Sequence, residues 1–126
     1  MKKISYKYWI FNILILLTSS IYGQTNRSDS LEQAIFATKN PIERYDLLDL
    51  LRKEVQDLEL KKTLLISKQL IEISKISNYR KAHSYCCLGN AYFFLGLTDS
   101  AQIYLQQVPN FVTNHEDSVE LSVAFN

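Results

Sequence analysis

The feature that most constrains this chain is the stretch of residues 85–108, which reads YCCLGNAYFFLGLTDSAQIYLQQV. Leu88, Gly89 and Tyr92 fall at i, i+1 and i+4 and therefore share one face of a helix. Gly89 lets a second helix lie close, although glycine costs a helix about 1 kcal/mol relative to alanine. Gly96 follows the apolar Leu95, as expected of a glycine that ends a helix in the left-handed conformation. The pattern predicts two antiparallel helices joined at Gly96.

The second helix of this pair is predicted to begin at Thr98 as its cap, with Asp99 in the first turn. Ala101 is the small residue expected where the two helices cross, and Leu105 continues the same apolar stripe at helical spacing. Pro109 disfavours helical geometry at the preceding residue and cannot donate a backbone hydrogen bond. The second helix is therefore expected to end early.

These positions resemble one complete hairpin of the tetratricopeptide repeat (TPR) family, whose repeats are pairs of antiparallel helices. The resemblance implies an all-α fold, a short right-handed stack of helical hairpins (an α-solenoid), which would follow the signal peptide that the N-terminal residues predict. It also implies that the chain binds a protein or peptide partner. The alternative is an ordinary amphipathic pair of helices. The resemblance depends on these seven residues: Tyr85, Leu88, Gly89, Tyr92, Gly96, Ala101 and Leu105.

In the TPR family the first helix of each hairpin lines a concave groove. The resemblance thus implies a peptide-binding groove formed by His83, Cys86, Asn90 and Phe93, which share a stripe at i, i+3, i+7 and i+10. Asn90 matches an asparagine with which some members clamp a peptide main chain or its terminal carboxylate. Those members carry a lysine where this chain has Cys86, so the clamp is incomplete here. The alternative is that Asn90 is a solvated consensus residue.

The N-terminus predicts export. Lys2, Lys3 and Lys7 precede an apolar run at residues 9–17, and a small, polar stretch follows at 18–23. This order is typical of a secretory signal peptide, here residues 1–23, with cleavage after Gly23 or alternatively after Ser20. The expected location is periplasmic or extracellular. Membrane attachment would require an uncleaved signal or a span further along the protein.

The rest of the chain reads as helix, divided by turn signals. A linker is expected at residues 24–28, a short helix at 29–40, a divergent repeat at 42–78, the clear repeat at 79–115 and the start of a further repeat at 116–126. Asp29 and Asn40 are the predicted N-caps, the latter followed by Pro41 at the first helical position. A break is expected near Gln56, and Asn78 is the predicted C-cap of the preceding helix. The sequence predicts that this segment is the front part of a longer protein or, alternatively, a truncated gene product.

Charge and side-chain inventory argue against several classes of function. Removal of the leader would leave 11 basic and 13 acidic residues, a net charge of about −2, which does not favour nucleic-acid binding. No phosphate loop, nucleophile elbow or pair of catalytic carboxylates is recognisable. Acids such as Asp46 and Asp49 are expected on solvated helix faces. The sequence predicts no catalytic residue and no cofactor.

The two cysteines are adjacent, and neighbouring Cα atoms about 3.8 Å apart are too close for an ordinary disulfide. Cys86 and Cys87 are therefore interpreted as small, partly buried apolar residues, with an intermolecular disulfide as the alternative. His83 and Cys87 have the i, i+4 spacing of metal ligands, but further ligands are not apparent. No metal site is predicted.

Together these observations predict an exported protein-binding or scaffold segment and not an enzyme. The alternative is a periplasmic sensory input region of a membrane-bound histidine kinase or transcription regulator, because exported TPR arrays of this kind resemble the front ends of such proteins.

Overall fold

The computed structural model describes residues 10, 12–13 and 27–112, and every regular element among them is helical. The expected all-α class is therefore confirmed for this part of the chain. Residues 10, 12 and 13 are helical. The rest of the predicted signal peptide lies outside the described residues, and so do residues 24–26 of the linker, residues 113–115 of the clear repeat and the predicted further repeat at 116–126. No described helix is long and apolar enough to cross a membrane.

Five α-helices and two short 3-10 segments follow one another along the described chain. Residues 27–37 form α1. The other elements are α2 (Pro41–Val55), α3 (Leu60–Ile73), a 3-10 turn (Ser74–Ile76), α4 (Asn78–Phe94), α5 (Thr98–Leu105) and a second 3-10 turn (Val108–Phe111). Helices that are consecutive in sequence pack together, α2 on α3, α3 on α4 and α4 on α5.

The start of α2 follows its local sequence. Asn40 is extended, and its side-chain oxygen accepts hydrogen bonds from the backbone N–H groups of Ile42 at 3.0 Å and Glu43 at 3.3 Å. Pro41 occupies the first helical position, where no backbone N–H is needed. The helix ends at Val55 and a turn follows at 56–58. The predicted cap at Asn40 and the break near Gln56 are confirmed.

Three other predicted helix ends are wrong. Residues 27–30 are already helical, so Asp29 does not cap α1. Asn78 does not end α3 but begins α4, because Ser77 is extended and its hydroxyl accepts the Arg80 N–H at 3.1 Å. Thr98 is the first residue inside α5 and its side chain makes no cap hydrogen bond. At the start of α4 two adjacent polar residues are available, and the extended backbone of Ser77 decides that it is the one that caps.

The connection between α4 and α5 follows the glycine pattern. Gly96 has a φ of 76°, the left-handed conformation that favours glycine. A Cβ atom placed on Gly89 would lie 2.5 Å from Leu105 Cγ and 3.4 Å from the backbone oxygen of Ala101, so the two helices approach closely there. Helix α5 ends at Leu105, and Pro109 lies in the 3-10 turn. The predicted close approach and the early end of this helix are confirmed.

The buried core lies mainly between α2, α3 and α4, with one contribution from α1. A separate aromatic cluster packs α4 against α5 and the second 3-10 turn. In it the Tyr92 and Tyr104 rings stack at 5.5 Å, and Tyr85 lies 4.9 Å from Phe111 between ring centroids. The core cluster contains Ile35, Tyr45, Leu48, Leu51, Val55, Ile66, Leu70 and Cys87.

Candidate functional site

A concave surface opens where the end of α2, the start of α3 and the second half of α4 meet. We call it the α2–α4 groove, and its volume is about 600 Å³, within the range of pockets that hold ligands. Its chemistry is mixed, with amide and charged groups beside apolar ones. The lining residues used below are Arg52, Lys53, Gln56, Leu60, Cys87, Asn90, Ala91 and Phe94.

One wall of the groove carries a compact ion-pair network. Asp49 Oδ1 accepts hydrogen bonds from Arg52 Nε at 2.8 Å and lies 2.8 Å from Arg52 Nη2, and its Oδ2 lies 3.2 Å from Lys53 Nζ. Both Asp49 and Arg52 are largely withdrawn from solvent, with side chains 15% and 8% exposed. Burial raises the pKa of Asp49, but the charge and hydrogen bond of Arg52, together with His83 and Lys53, outweigh it and hold that pKa below its usual value.

The sequence predicted Asp49 on a solvated helix face, but the residue is largely buried. The expectation is wrong because Arg52 is turned inward, and its buried guanidinium brings the carboxylate with it. Asp46, one turn earlier, is exposed as expected and lies 3.4 Å from Arg80 Nη2.

Behind this network lies a buried imidazole. His83 is only 2% exposed; its Nδ1 lies 2.7 Å from the Tyr45 hydroxyl and its Nε2 lies 3.8 Å from Asp49 Oδ1. The ring of Tyr79 stacks on it at 6.0 Å between centroids. Burial lowers the pKa of His83 below its ordinary value even though Asp49 opposes this, so the ring is neutral near pH 7.

The two cysteines differ in their surroundings. Cys87 is buried and lies 3.8 Å from both ring nitrogens of His83, whereas Cys86 is half-buried. Burial raises the pKa of Cys86 to about 11 and that of Cys87 to about 12, so both are thiols at neutral pH. Their burial agrees with the interpretation as small residues that are at least partly buried.

The four residues predicted to line one groove lie in different places. Asn90 lines the α2–α4 groove, and His83 is buried behind it. Cys86 does not line that groove; its neighbour Cys87 does. Phe93 is 58% exposed and lines a second depression, between α4 and α5, together with Ala101 and Leu105.

Three contributors to this site were missed from the sequence. Tyr45 and Arg52 lie next to charged residues of α2, yet both side chains are buried, and Phe94 lines the groove instead of Phe93. The i, i+3 spacing of Asp49 and Arg52 was a signal for an ion pair. Nothing in the local pattern indicated that the pair would meet α4.

No protein-family model, curated protein or solved structure matches the chain. The resemblance to TPR hairpins therefore depends on the residues named above.

Proposed function

We propose that this chain is an exported, non-catalytic protein-binding scaffold of the TPR type, in which α2–α3 and α4–α5 are two hairpins of a short right-handed stack. The sequential packing of neighbouring helices supports this arrangement. So do the close approach of α5 to Gly89 and the left-handed turn at Gly96. These are features expected of consecutive antiparallel hairpins with short connections.

The observation that carries the proposed binding role is the chemistry of the α2–α4 groove. Phe94 is 67% exposed there and Leu60 37%, which leaves apolar surface for a partner's side chain. Beside them, the side-chain amide of Asn90 makes no hydrogen bond to the described part of the chain. An amide presents both donors and an acceptor, the two groups that a peptide main chain needs. The groove thus suits an extended peptide that carries a large apolar residue.

The proposed export depends on the leader at residues 1–23, which lies almost entirely outside the described residues. Mass spectrometry of the protein recovered outside the cytoplasm should find a mature chain beginning at or near Gln24. An intact Met1 on the exported protein would contradict cleavage.

Selection of short peptides from a phage-displayed library against the full chain tests the binding role. We expect enriched sequences to share an aromatic or large aliphatic residue. Their affinity, measured by fluorescence anisotropy, should fall about tenfold in Asn90→Ala and in Phe94→Ala, equivalent to about 1.4 kcal/mol each.

The control is Phe36→Ala on α1. Phe36 is 92% exposed but does not line the α2–α4 groove, so its loss removes the same ring from elsewhere on the surface. Peptides that bind all three variants as well as the parent chain, or a selection that enriches nothing, would refute the groove as the binding site.

A further inference from the structure

Three side chains with metal-binding atoms converge at the base of the α2–α4 groove. Asp49 on α2 and His83 and Cys87 on α4 place one ligand atom each within 4.8 Å of one another. Asp49 Oδ1 and Cys87 Sγ each lie 3.8 Å from His83 Nε2. In a tetrahedral zinc site with bonds of about 2.0–2.3 Å, neighbouring ligand atoms are roughly 3.3–3.8 Å apart. The three groups therefore need to move little to share one ion.

The hydrogen bonds of Tyr45 are compatible with metal binding through Nε2 of the imidazole. Its hydroxyl donates to the backbone oxygen of Arg80 at 3.1 Å. A phenol can donate one hydrogen bond and also accept, so when the Tyr45 hydroxyl donates to Arg80, the 2.7 Å contact with His83 is donated by Nδ1–H to the tyrosine oxygen. In that tautomer the lone pair of the neutral ring is on Nε2, which faces Asp49 and Cys87. Metal-bound histidines are typically oriented by such a partner on their other nitrogen.

We propose that Asp49 Oδ1, His83 Nε2 and Cys87 Sγ bind one divalent cation of borderline softness, with Zn²⁺ the best match. A mixed carboxylate, imidazole and thiolate set suits this class of ion. On binding, a metal–sulfur bond forms and the thiol proton of Cys87 is released to solvent. Of the three ligands, Cys87 is the one that lines the α2–α4 groove.

The charged neighbours of this site affect how strongly it can bind a cation. Arg52 and Lys53 both contact the Asp49 carboxylate, and their charges oppose a cation. The carboxylate is already paired with these two cations, so the thiolate that forms on binding supplies the one new negative charge that offsets the ion. Occupancy therefore depends on the sulfur of Cys87, and this dependence makes the proposal testable.

Titration of the full chain with Co²⁺ under thiol-free reducing conditions provides the test. We expect saturation at one ion per chain, with thiolate-to-cobalt charge-transfer absorption that excess Zn²⁺ abolishes. The chain has two cysteines, so Cys86→Ser retains Cys87 as its sole thiol. The absorption should persist in Cys86→Ser and disappear in Cys87→Ser and Asp49→Asn.

Several results would overturn the site: no such absorption in the parent chain, its loss in Cys86→Ser, or its persistence in Cys87→Ser. The result for Cys86→Ser identifies the sulfur even if Cys87→Ser does not fold. Tyr45→Phe tests the orientation of the ring. It should leave the spectrum unchanged but weaken Co²⁺ binding about 10–100-fold, and an unaltered affinity would contradict the positioning role of Tyr45.

Discussion

The contact between α4 and α5 at Gly89 can be tested with Gly89→Ala, because the effect of this substitution on the free energy of unfolding should reverse its sign when Leu105 is removed. A methyl group added by Gly89→Ala would lie 2.5 Å from Leu105 Cγ and 2.7 Å from Cδ2, whereas carbon atoms pack best at about 3.5–4.0 Å. The Leu105 side chain would therefore have to be displaced. The next nearest atom, the Ala101 backbone oxygen at 3.4 Å, is in ordinary contact and need not move.

The cost of displacing Leu105 can be compared with the gain in helix propensity from alanine. Full burial of a leucine side chain stabilises by about 1.5–3 kcal/mol. Leu105 is 37% exposed, so its displacement costs about 1–2 kcal/mol. Replacement of a helical glycine by alanine returns about 1 kcal/mol. In the parent chain Gly89→Ala should thus lower the free energy of unfolding by up to about 1 kcal/mol. In a Leu105→Ala background the clash is absent, and Gly89→Ala should raise the free energy of unfolding by about 1 kcal/mol.

Urea denaturation is monitored by circular dichroism for the parent chain, Gly89→Ala, Leu105→Ala and the double variant, which together form a double-mutant cycle. The control is Gly96→Ala, because Gly96 has the left-handed φ of 76° but no atom within 4 Å of an added Cβ. Its cost is backbone strain and should be the same in both backgrounds. If Gly89→Ala has the same effect in both backgrounds to within about 0.5 kcal/mol, the two helices do not meet as described.

Three further perturbations follow from contacts described above. Asn40→Ala removes two cap hydrogen bonds from α2 and should lower the free energy of unfolding by about 1 kcal/mol in urea melts. Arg52→Ala removes one of the two cations that contact the largely buried Asp49 carboxylate and should lower the free energy of unfolding by about 3 kcal/mol. Arg27→Ala, which removes an ion pair at the surface, should lower it by less than about 1 kcal/mol. Equal losses would contradict the burial argument. Iodoacetamide should label Cys86 before Cys87 in the native chain and both alike in denaturant, as read by peptide mass spectrometry, because Cys87 is the more buried thiol.

Local signals made much of the fold predictable. Asn40 with Pro41 and Gly96 with Leu95 determine helix ends through the backbone groups of their immediate neighbours, and both were read correctly. The close approach at Gly89 was also predictable, because the absence of a side chain on an otherwise apolar face indicates a nearby helix. Asn78 was misread because the choice between two adjacent polar residues depends on the conformation of the connection.

The candidate site was less predictable because it is formed by side chains from separate helices. His83 and Cys87 were recognised as a possible half-site from their spacing on one helix. Asp49 was not, because helical periodicity gives no information on whether a charged residue of α2 faces α4 or solvent. Only the inward position of Arg52, which depends on the packing of three helices, brings that carboxylate to the imidazole.

The contact of Tyr45 with α4 also has a consequence for how the chain opens. In repeat proteins each unit contacts mainly its neighbours, so units at either end can fray separately. Here one phenol on α2 contacts the Arg80 backbone and the His83 ring, 35 and 38 residues away in sequence. Opening α2 breaks these bonds and exposes buried polar groups of α4. Amide protons of the two helices should therefore exchange with solvent through a shared cooperative opening, and not as two independent units.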